Sequence, residues 1–179
     1  MESRTQDIAR QSIIIASATF MLIAAAVGSG AFGGTSVSEL QDGALSAQGS
    51  YLAPAGPAFS IWSLIYLGLI AYTVWQALPP QRADERQRAV GGWIAVSMIL
   101  NGLWLVTAQF LSLPLTVLVI ALLLATLARV IVILGRSRAR TWPERIVVDG
   151  ANGLHFGWVT TAPVANTTAW FTQIAPAAW

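Results

Sequence analysis

The chain has 179 residues, of which 55% are hydrophobic and only 10% are charged, with a formal net charge of +2 and a mean hydropathy of +0.63. Soluble globular proteins carry about 25% charged residues, so this composition excludes an ordinary soluble domain. The absence of cysteine excludes disulfides, thiolate metal sites and a cysteine nucleophile.

Five apolar stretches predict membrane-spanning helices. At about 1.5 Å of rise per residue, about 20 apolar residues cross a hydrocarbon core of about 30 Å. The stretches have that length and few charges, and they cover residues 12–33, 58–78, 92–112, 113–135 and 147–171. We therefore predict an all-α polytopic membrane protein, with residues 1–179 forming a single five-helix transmembrane domain.

The first span follows a short amphiphilic lead, residues 1–11, and ends in small residues. Gly30 and Gly34 have the spacing that lets two helices approach closely, either in a homodimer or inside the bundle. Residues 34–57 are polar and are expected to form a loop.

The later connections are short. Two consecutive prolines after residue 78 should stop the second span, and the charged segment 81–91 is expected to be a solvated loop. A tight turn at residues 112–114 predicts that the third and fourth spans are antiparallel neighbours.

Arg129, inside the fourth span, is expected to extend its side chain to the headgroups. Glu144 and Asp149 should pair with arginines or lie at the positive N-terminus of the fifth span.

The arginines predict the orientation. With five spans, the N-terminus and the loops 79–91 and 136–146 share one side, and they hold nine of the ten basic residues. The positive-inside rule then places the N-terminus in the cytoplasm and the C-terminus outside. We expect an integral protein of a bacterial inner membrane whose basic loops contact anionic lipids. Nucleic-acid binding is not expected, because no folded basic surface is predicted.

Tryptophan is unusually frequent, with eight residues. Five lie near span ends, where indole rings favour the bilayer interface: Trp75, Trp93, Trp142, Trp170 and Trp179. Trp62, Trp104 and Trp158 lie inside the second, third and fifth spans, and polar residues accompany each of them.

These three tryptophans suggest one aromatic, partly polar pocket. Buried indole and phenol groups need hydrogen-bond partners, and polar side chains in spans usually face the bundle interior. The polar residues in question are Tyr66, Asn101, His155 and Asn166. Such a pocket suits a flat, conjugated, amphipathic ligand. The alternative is helix packing in which polar side chains link helices, at about 0.6 kcal/mol each; residue types alone leave both interpretations open.

Three short motifs carry a family resemblance. Residues 59–66 (FSIWSLIY) resemble the F…W..LY signature that opens the second helix of the TspO/translocator-protein family, also called tryptophan-rich sensory protein. Residues 100–104 (LNGLW) resemble its LN..W signature in the third helix. Residues 158–166 (WVTTAPVAN) resemble its W-V-[ST]-x-A…N signature in the fifth. Their order, their spacing and the five-span layout agree with that family.

The resemblance implies a five-helix bundle, often dimeric, whose pocket opens toward the loop between helices 1 and 2. It implies binding of porphyrins and other tetrapyrroles, and in some members of sterols or synthetic drugs. A haem or porphyrin would be a ligand and not an obligatory cofactor, and neither catalytic nor metal-ligating residues are assigned. By motif position, the ligand-binding candidates are Trp62, Tyr66, Asn101, Trp104, Trp158, Ala162 and Asn166.

The chain departs from the family pattern in two places that concern the pocket. Segment 50–57 lacks the tryptophans and the Lys-Pro that the family usually has before helix 2. Leu154 and His155 replace the Pro-Tyr that precedes the fifth-helix tryptophan. His155 is the only histidine and joins the ligand-binding candidates, because imidazole can ligate haem iron or bond a propionate. Its alternative interpretation is a helix-end residue near the cytoplasmic interface that bonds a neighbouring helix.

Three functions fit these residues. The first is a sensor or carrier that binds a tetrapyrrole-like or other hydrophobic aromatic ligand. The second is an enzyme for tryptophan-assisted porphyrin degradation, which the missing loop tryptophans disfavour. The third is a structural subunit of a larger membrane complex, with tryptophan and glycine used for packing.

Overall fold

The structure is a computed structural model that describes residues 2–28, 39, 43–46, 52–53 and 56–174, with the backbone only at residues 2, 3, 56 and 59. The predicted ends of the first span at residues 29–33, most of the loop 34–57 and Trp179 lie outside the described residues.

Five long helices make up the fold, and no strand occurs in the described part of the chain. They are α1 (Glu2–Gly28), α2 (Ile61–Ala77), α3 (Glu85–Phe110), α4 (Leu113–Arg136) and α5 (Ala151–Ile174). Their number and order agree with the five predicted spans, and the class is all-α as predicted.

Local chemistry explains where the helices begin and end. Leu78 adopts an extended conformation ahead of Pro79, which ends α2 and starts the short 3-10 turn Pro79–Gln81. The Asp84 carboxylate accepts a 3.0 Å hydrogen bond from the Gln87 backbone N–H and so caps the first turn of α3. Only Leu111 and Ser112 separate α3 from α4, so the two helices are antiparallel neighbours as predicted.

The connection from α4 to α5 is itself largely helical. The Thr141 hydroxyl caps a short turn, Trp142–Glu144, by accepting from the Glu144 backbone N–H. A π-helical turn, Arg145–Gly150, leads directly into α5. α5 continues through Pro163, which lies inside the helix.

The helices pack as a closed ring in the order α1, α3, α4, α5, α2. α3 makes extensive contacts with α1 and α4, α5 packs on α4 and on α2, and α2 returns to α1. Two apolar clusters fill the interior, one around Leu69, Tyr72 and Met98 and the other around Leu123 and Leu127. Trp62 and Trp158 pack against both clusters, which places these two indoles where the clusters meet.

Three helices are long and apolar enough to cross a membrane on their own: Arg4–Gly28, Glu85–Phe110 and Leu113–Arg136. α2 is apolar but has 17 residues, the lower end of the spanning range. α5 has 24 residues but is not among these three helices. Its buried polar residues, Asn152, His155 and Asn166, face the bundle interior, as expected for polar side chains of a helix inside a membrane bundle.

α1 and α3 begin earlier in the sequence than the spans predicted for them. α1 already includes residues 2–11, because Asp7 and Gln11 are buried against other helices. Arg88 donates two hydrogen bonds to the Asp7 carboxylate, at 2.8 and 2.6 Å. The Gln11 side chain donates to the Gln76 carbonyl at 2.6 Å. The amphiphilic lead is therefore a packed part of the first helix.

The prediction of a solvated charged loop at residues 81–91 is wrong at Arg86, whose side chain is 4% exposed. Its guanidinium donates to the Glu144 carboxylate at 2.9 Å and also contacts the Asp149 carboxylate. The Arg86 Nε donates to Ser137 as well. We call this group, formed by Arg86, Ser137, Glu144 and Asp149, the basic-end ion cluster. It confirms that the two acidic residues pair with an arginine.

Arg129 lies on the exposed surface of α4, and its guanidinium carbon is 5.8 Å from the centre of the Trp93 ring on α3. This distance is that of a cation–π contact. The arginine thus lies against an indole on the outer surface of the bundle, and its extension to the headgroups stays a prediction.

Candidate functional site

A cleft lies between four helices in the half of the bundle where α2 and α4 begin and α3 ends. Helix α5 supplies most of one wall and α2 most of another. The lining residues are Trp62, Ile65 and Tyr66 of α2, Asn101 and Trp104 of α3, Ile120 of α4, and His155, Trp158, Val159 and Ala162 of α5.

Helical spacing explains why these side chains converge. Residues three or four positions apart share one face of a helix. On α2 this spacing brings residues 62, 65 and 66 to the same face, and on α5 it does so for residues 155, 158, 159 and 162. The face of α5 that carries the family signature is therefore the face that α2, α3 and α4 surround.

Indole rings form the apolar body of the cleft. The rings of Trp62 and Trp104 meet edge to face, with centroids 5.7 Å apart and planes at 88°. This is a favoured geometry for aromatic pairs. Trp104 is buried, whereas Trp62, Tyr66 and Trp158 are half-buried.

Two hydrogen bonds tie the cleft walls together. The Asn101 side-chain amide donates to the Tyr66 hydroxyl at 3.1 Å and joins α3 to α2. The Trp104 Nε1 donates to the Asn166 Oδ1 at 3.1 Å and joins α3 to α5. Asn166 also donates to the Ala162 carbonyl at 2.9 Å, so its amide orientation is fixed by its own helix.

The structure brings seven of the eight sequence candidates to the cleft. Asn166 is the exception, since it lies beside Trp104 and not among the lining residues. It positions an indole that does line the cleft.

Sequence reasoning missed three lining residues, all apolar. Ile65 and Val159 share helix faces with predicted candidates, so their spacing could have revealed them. Ile120 carried no such signal, because nothing in its local sequence shows that α4 closes the cleft.

His155 lies deep in the bundle, with 1% of its surface exposed. Among the described residues, neither of its ring nitrogens has a hydrogen-bond partner. The structure therefore does not support the alternative of an interfacial histidine bonded to a neighbouring helix. The imidazole lines the cleft instead.

The cleft is narrow. It contains about 390 Å³ of empty space when its open mouth is counted, but only about 30 Å³ of this has room for a water-sized molecule. Sites for small organic ligands usually hold about 300–1,000 Å³. A flat ligand can enter only if half-buried rings such as Trp62 and Tyr66 move aside.

The lining is uncharged: it offers indole faces, one phenol, one amide and one imidazole. Within the described residues, no group of three or more histidine or acidic side chains is placed to hold a metal ion. The arrangement can stack against a flat molecule and can exchange hydrogen bonds with it at a few points.

A ring of five apolar helices around an indole-lined cleft defines a helical membrane protein with an inter-helix cleft. The family comparison makes this class specific, since the model of the family described as TSPO-like protein matches residues 11–179. The chain belongs to the TSPO-like family and is a TspO-like integral membrane protein. No curated protein and no solved structure matches it.

Proposed function

We propose that this protein binds a small, flat, mainly apolar ligand in the cleft and acts as a sensor or carrier of that ligand. Tetrapyrroles are the ligand class that the family resemblance suggests. The observation that carries the proposal is the convergence of three indoles and a phenol, from three different helices, on one uncharged cleft inside a membrane bundle.

The geometry favours binding over mere packing. If these rings served packing alone, they would be expected to fill the core. Trp62 and Trp158 do pack against both apolar clusters, but they and Tyr66 stay half-buried and also line the cleft. Their buried partner, Trp104, donates a hydrogen bond to Asn166. We infer that a ligand enters by displacing the half-buried rings while Trp104 keeps its place.

The chemistry of the cleft lining suits a haem or porphyrin, but the present volume of the cleft is too small for one. The unpartnered imidazole of His155 offers a group for iron or for a polar edge, and the indoles offer stacking surfaces. The enclosed space of about 30 Å³ does not admit the macrocycle unless the half-buried rings shift. Tetrapyrrole binding by this chain therefore predicts a measurable change in tryptophan environment.

The test is a fluorescence titration of the detergent-purified protein with protoporphyrin IX and with haem. Wild type is compared with a Trp62→Phe/Trp158→Phe variant and with a Trp142→Phe control, whose indole is 72% exposed and outside the cleft lining. Saturable quenching that is weaker in the double variant and unchanged in the control supports the proposal. Linear quenching that is identical in all three proteins would mean partitioning into the micelle and would contradict it.

The same samples separate binding from turnover. A sensor or carrier leaves the porphyrin absorbance constant under illumination, whereas a degrading enzyme lowers it in a tryptophan-dependent way. Co-purification with a stable partner and no saturable ligand would instead favour the structural-subunit hypothesis.

A further inference from the structure

His155 combines two features that no other described residue shares. Several buried side chains carry nitrogen or oxygen atoms without a hydrogen-bond partner, among them Asn152, Gln76 and Gln87. Of these, only His155 also lines the cleft. A buried polar group without a partner is costly, and such groups in native proteins usually meet a water, an ion or a ligand.

The surroundings of His155 restrict what can meet it. None of the residues that line the cleft carries a formal charge next to the imidazole, and the neighbours on its own helix face are Trp158 and Val159. A charged ligand group would lose its hydration here without gaining a counter-ion. The group that approaches His155 should therefore be neutral.

The lining of the cleft also restricts the rest of the ligand. The indole walls favour a flat ring system. The neutral imidazole offers one N–H donor and one nitrogen acceptor, so it can pair with either kind of ring nitrogen.

We infer that His155 is the polar anchor of the cleft and selects flat heteroaromatic ligands that carry a neutral ring nitrogen at their edge. The inference rests on the proposed function, because it requires that flat ligands bind in this cleft. Among such ligands it favours heteroaromatic molecules with a nitrogen at the edge over tetrapyrroles, whose ring nitrogens face the centre of the macrocycle. It goes further in naming the group that the ligand must present and the residue that receives it.

The test uses two pairs of probes that differ mainly in one ring atom. Acridine has a ring nitrogen that accepts a hydrogen bond, and anthracene has C–H in its place. Carbazole has an N–H donor, and fluorene has a methylene group in its place. Dissociation constants are measured in one detergent, under mildly alkaline conditions that keep all four probes neutral. Taking the ratio within each pair, and comparing it between variants, cancels their different partitioning into the micelle.

In wild type we expect the nitrogen-containing member of at least one pair to be favoured. His155→Phe should lower that preference by about tenfold, the factor that corresponds to one buried hydrogen bond. Asn152→Ala is the matched control, since it alters a buried polar side chain one turn away that does not line the cleft. It should leave both ratios unchanged.

A second readout needs no variant. His155 is the only histidine, so the nitrogen NMR signals of histidine-labelled protein report on this residue alone. They should move with acridine or carbazole and stay in place with anthracene and fluorene. This measurement keeps the inference testable if His155→Phe fails to fold.

The outcomes separate the two proposals. If all four probes bind saturably, with ratios that His155→Phe does not change and histidine signals that do not move, the anchor is overturned and the cleft remains a binding site. If no probe binds saturably while protoporphyrin IX or haem still quenches saturably, the anchor is overturned and the proposed function stands; if neither the probes nor the tetrapyrroles bind saturably, both are overturned.

Discussion

Asn166 shows how one side chain can serve the cleft without lining it. Its Oδ1 accepts the Trp104 N–H, and its own amide bonds back to the Ala162 carbonyl. The indole is buried, so the N–H would otherwise have no partner in the bundle interior. The residue fixes the plane of the ring that Trp62 meets edge to face.

Removing the Asn166 amide should therefore destabilise the bundle slightly and loosen the cleft floor. We expect Asn166→Ala to lower the free energy of unfolding by about 1 kcal/mol, within the range of roughly 0.6–1.7 kcal/mol for interhelical hydrogen bonds in membranes. The measurement is unfolding in mixed micelles as a double-mutant cycle with Trp104→Phe. A coupling energy of zero between the two changes would contradict the bond.

Arg86 and Arg140 form a natural comparison of a buried and an exposed ion pair. Arg86 lies against Glu144, and both side chains are almost fully buried, whereas the Arg140 side chain that meets Asp84 is 70% exposed. Removing one partner of a buried pair leaves an uncompensated charge, while exposed pairs contribute little.

We expect Arg86→Met to destabilise the protein by about 3–5 kcal/mol and Arg140→Met to change stability by less than about 1 kcal/mol. Thermal unfolding in detergent distinguishes the two. An Arg86→Met/Glu144→Gln double variant should recover part of the lost stability, because it neutralises the carboxylate that Arg86→Met leaves without its partner. Equal effects of the two single substitutions would show that the basic-end ion cluster is not buried in the folded protein.

At the scale of elements, the close approach of α2 to α5 depends on Gly68, which has no side chain. A Cβ added at Gly68 would lie 2.9 Å from the Cβ and 3.4 Å from the Cα of Ala151. The 2.9 Å distance is too short for two carbon atoms, and an alanine Cβ cannot turn away from its backbone, so the two helices would have to separate. Gly153, two residues further along α5, has nothing within 4 Å of an added Cβ.

Gly68→Ala and Gly153→Ala should consequently differ in sign. Overpacking costs about 1–3 kcal/mol, so Gly68→Ala should lower thermal stability. The gain in helix propensity of about 1 kcal/mol has no opposing clash at Gly153, so Gly153→Ala should be neutral or stabilising. Melting curves of both variants in one detergent provide the measurement, and a loss of stability in Gly153→Ala alone would contradict the helix contact.

The helix boundaries are the part of the fold that sequence patterns predict least well. The apolar stretches locate all five helices, because spanning a hydrocarbon core sets their length and composition. They do not show that α1 and α3 extend into polar sequence, since that depends on partners far along the chain. Asp7 meets Arg88, 81 residues later, and Arg86 meets Glu144, 58 residues later. Locally, both segments have the composition of a solvated lead and a solvated loop.

The cleft was predictable to a similar degree. Helical spacing and the three tryptophans point to side chains that share a face, and the structure gathers Trp62, Trp104 and Trp158 around one space. What the sequence could not give is the depth of that space or the wall that Ile120 of α4 closes. Both depend on the ring order of the helices, which no local pattern encodes.

For the whole molecule, the basic loops predict which end faces the cytoplasm. The chain has no cysteine, so single cysteines report topology without background. Ala83 is exposed at the end of the bundle that carries the basic loops. Ser112 lies at the opposite end, where its side chain makes no capping hydrogen bond.

We expect a membrane-impermeant maleimide to label Ser112→Cys in intact cells and Ala83→Cys only after the inner membrane is opened, because the positive-inside rule retains the basic loops in the cytoplasm. The cysteine-free wild type is the control for background labelling. The reverse pattern would show that the protein is inserted the other way round.

The ring order also determines when the cleft comes into existence during synthesis. A ribosome that has released only α1 to α4 has produced three of the cleft walls, but Trp158, Val159 and Ala162 are still missing. At the other end, Arg86 has been inserted before Glu144 and Asp149, which follow it by 58 and 63 residues. Both ends of the bundle thus depend on residues from Trp142 onward. The turns before α5 supply the carboxylates that meet Arg86, and α5 supplies the last wall of the cleft, so a chain truncated before residue 142 lacks both.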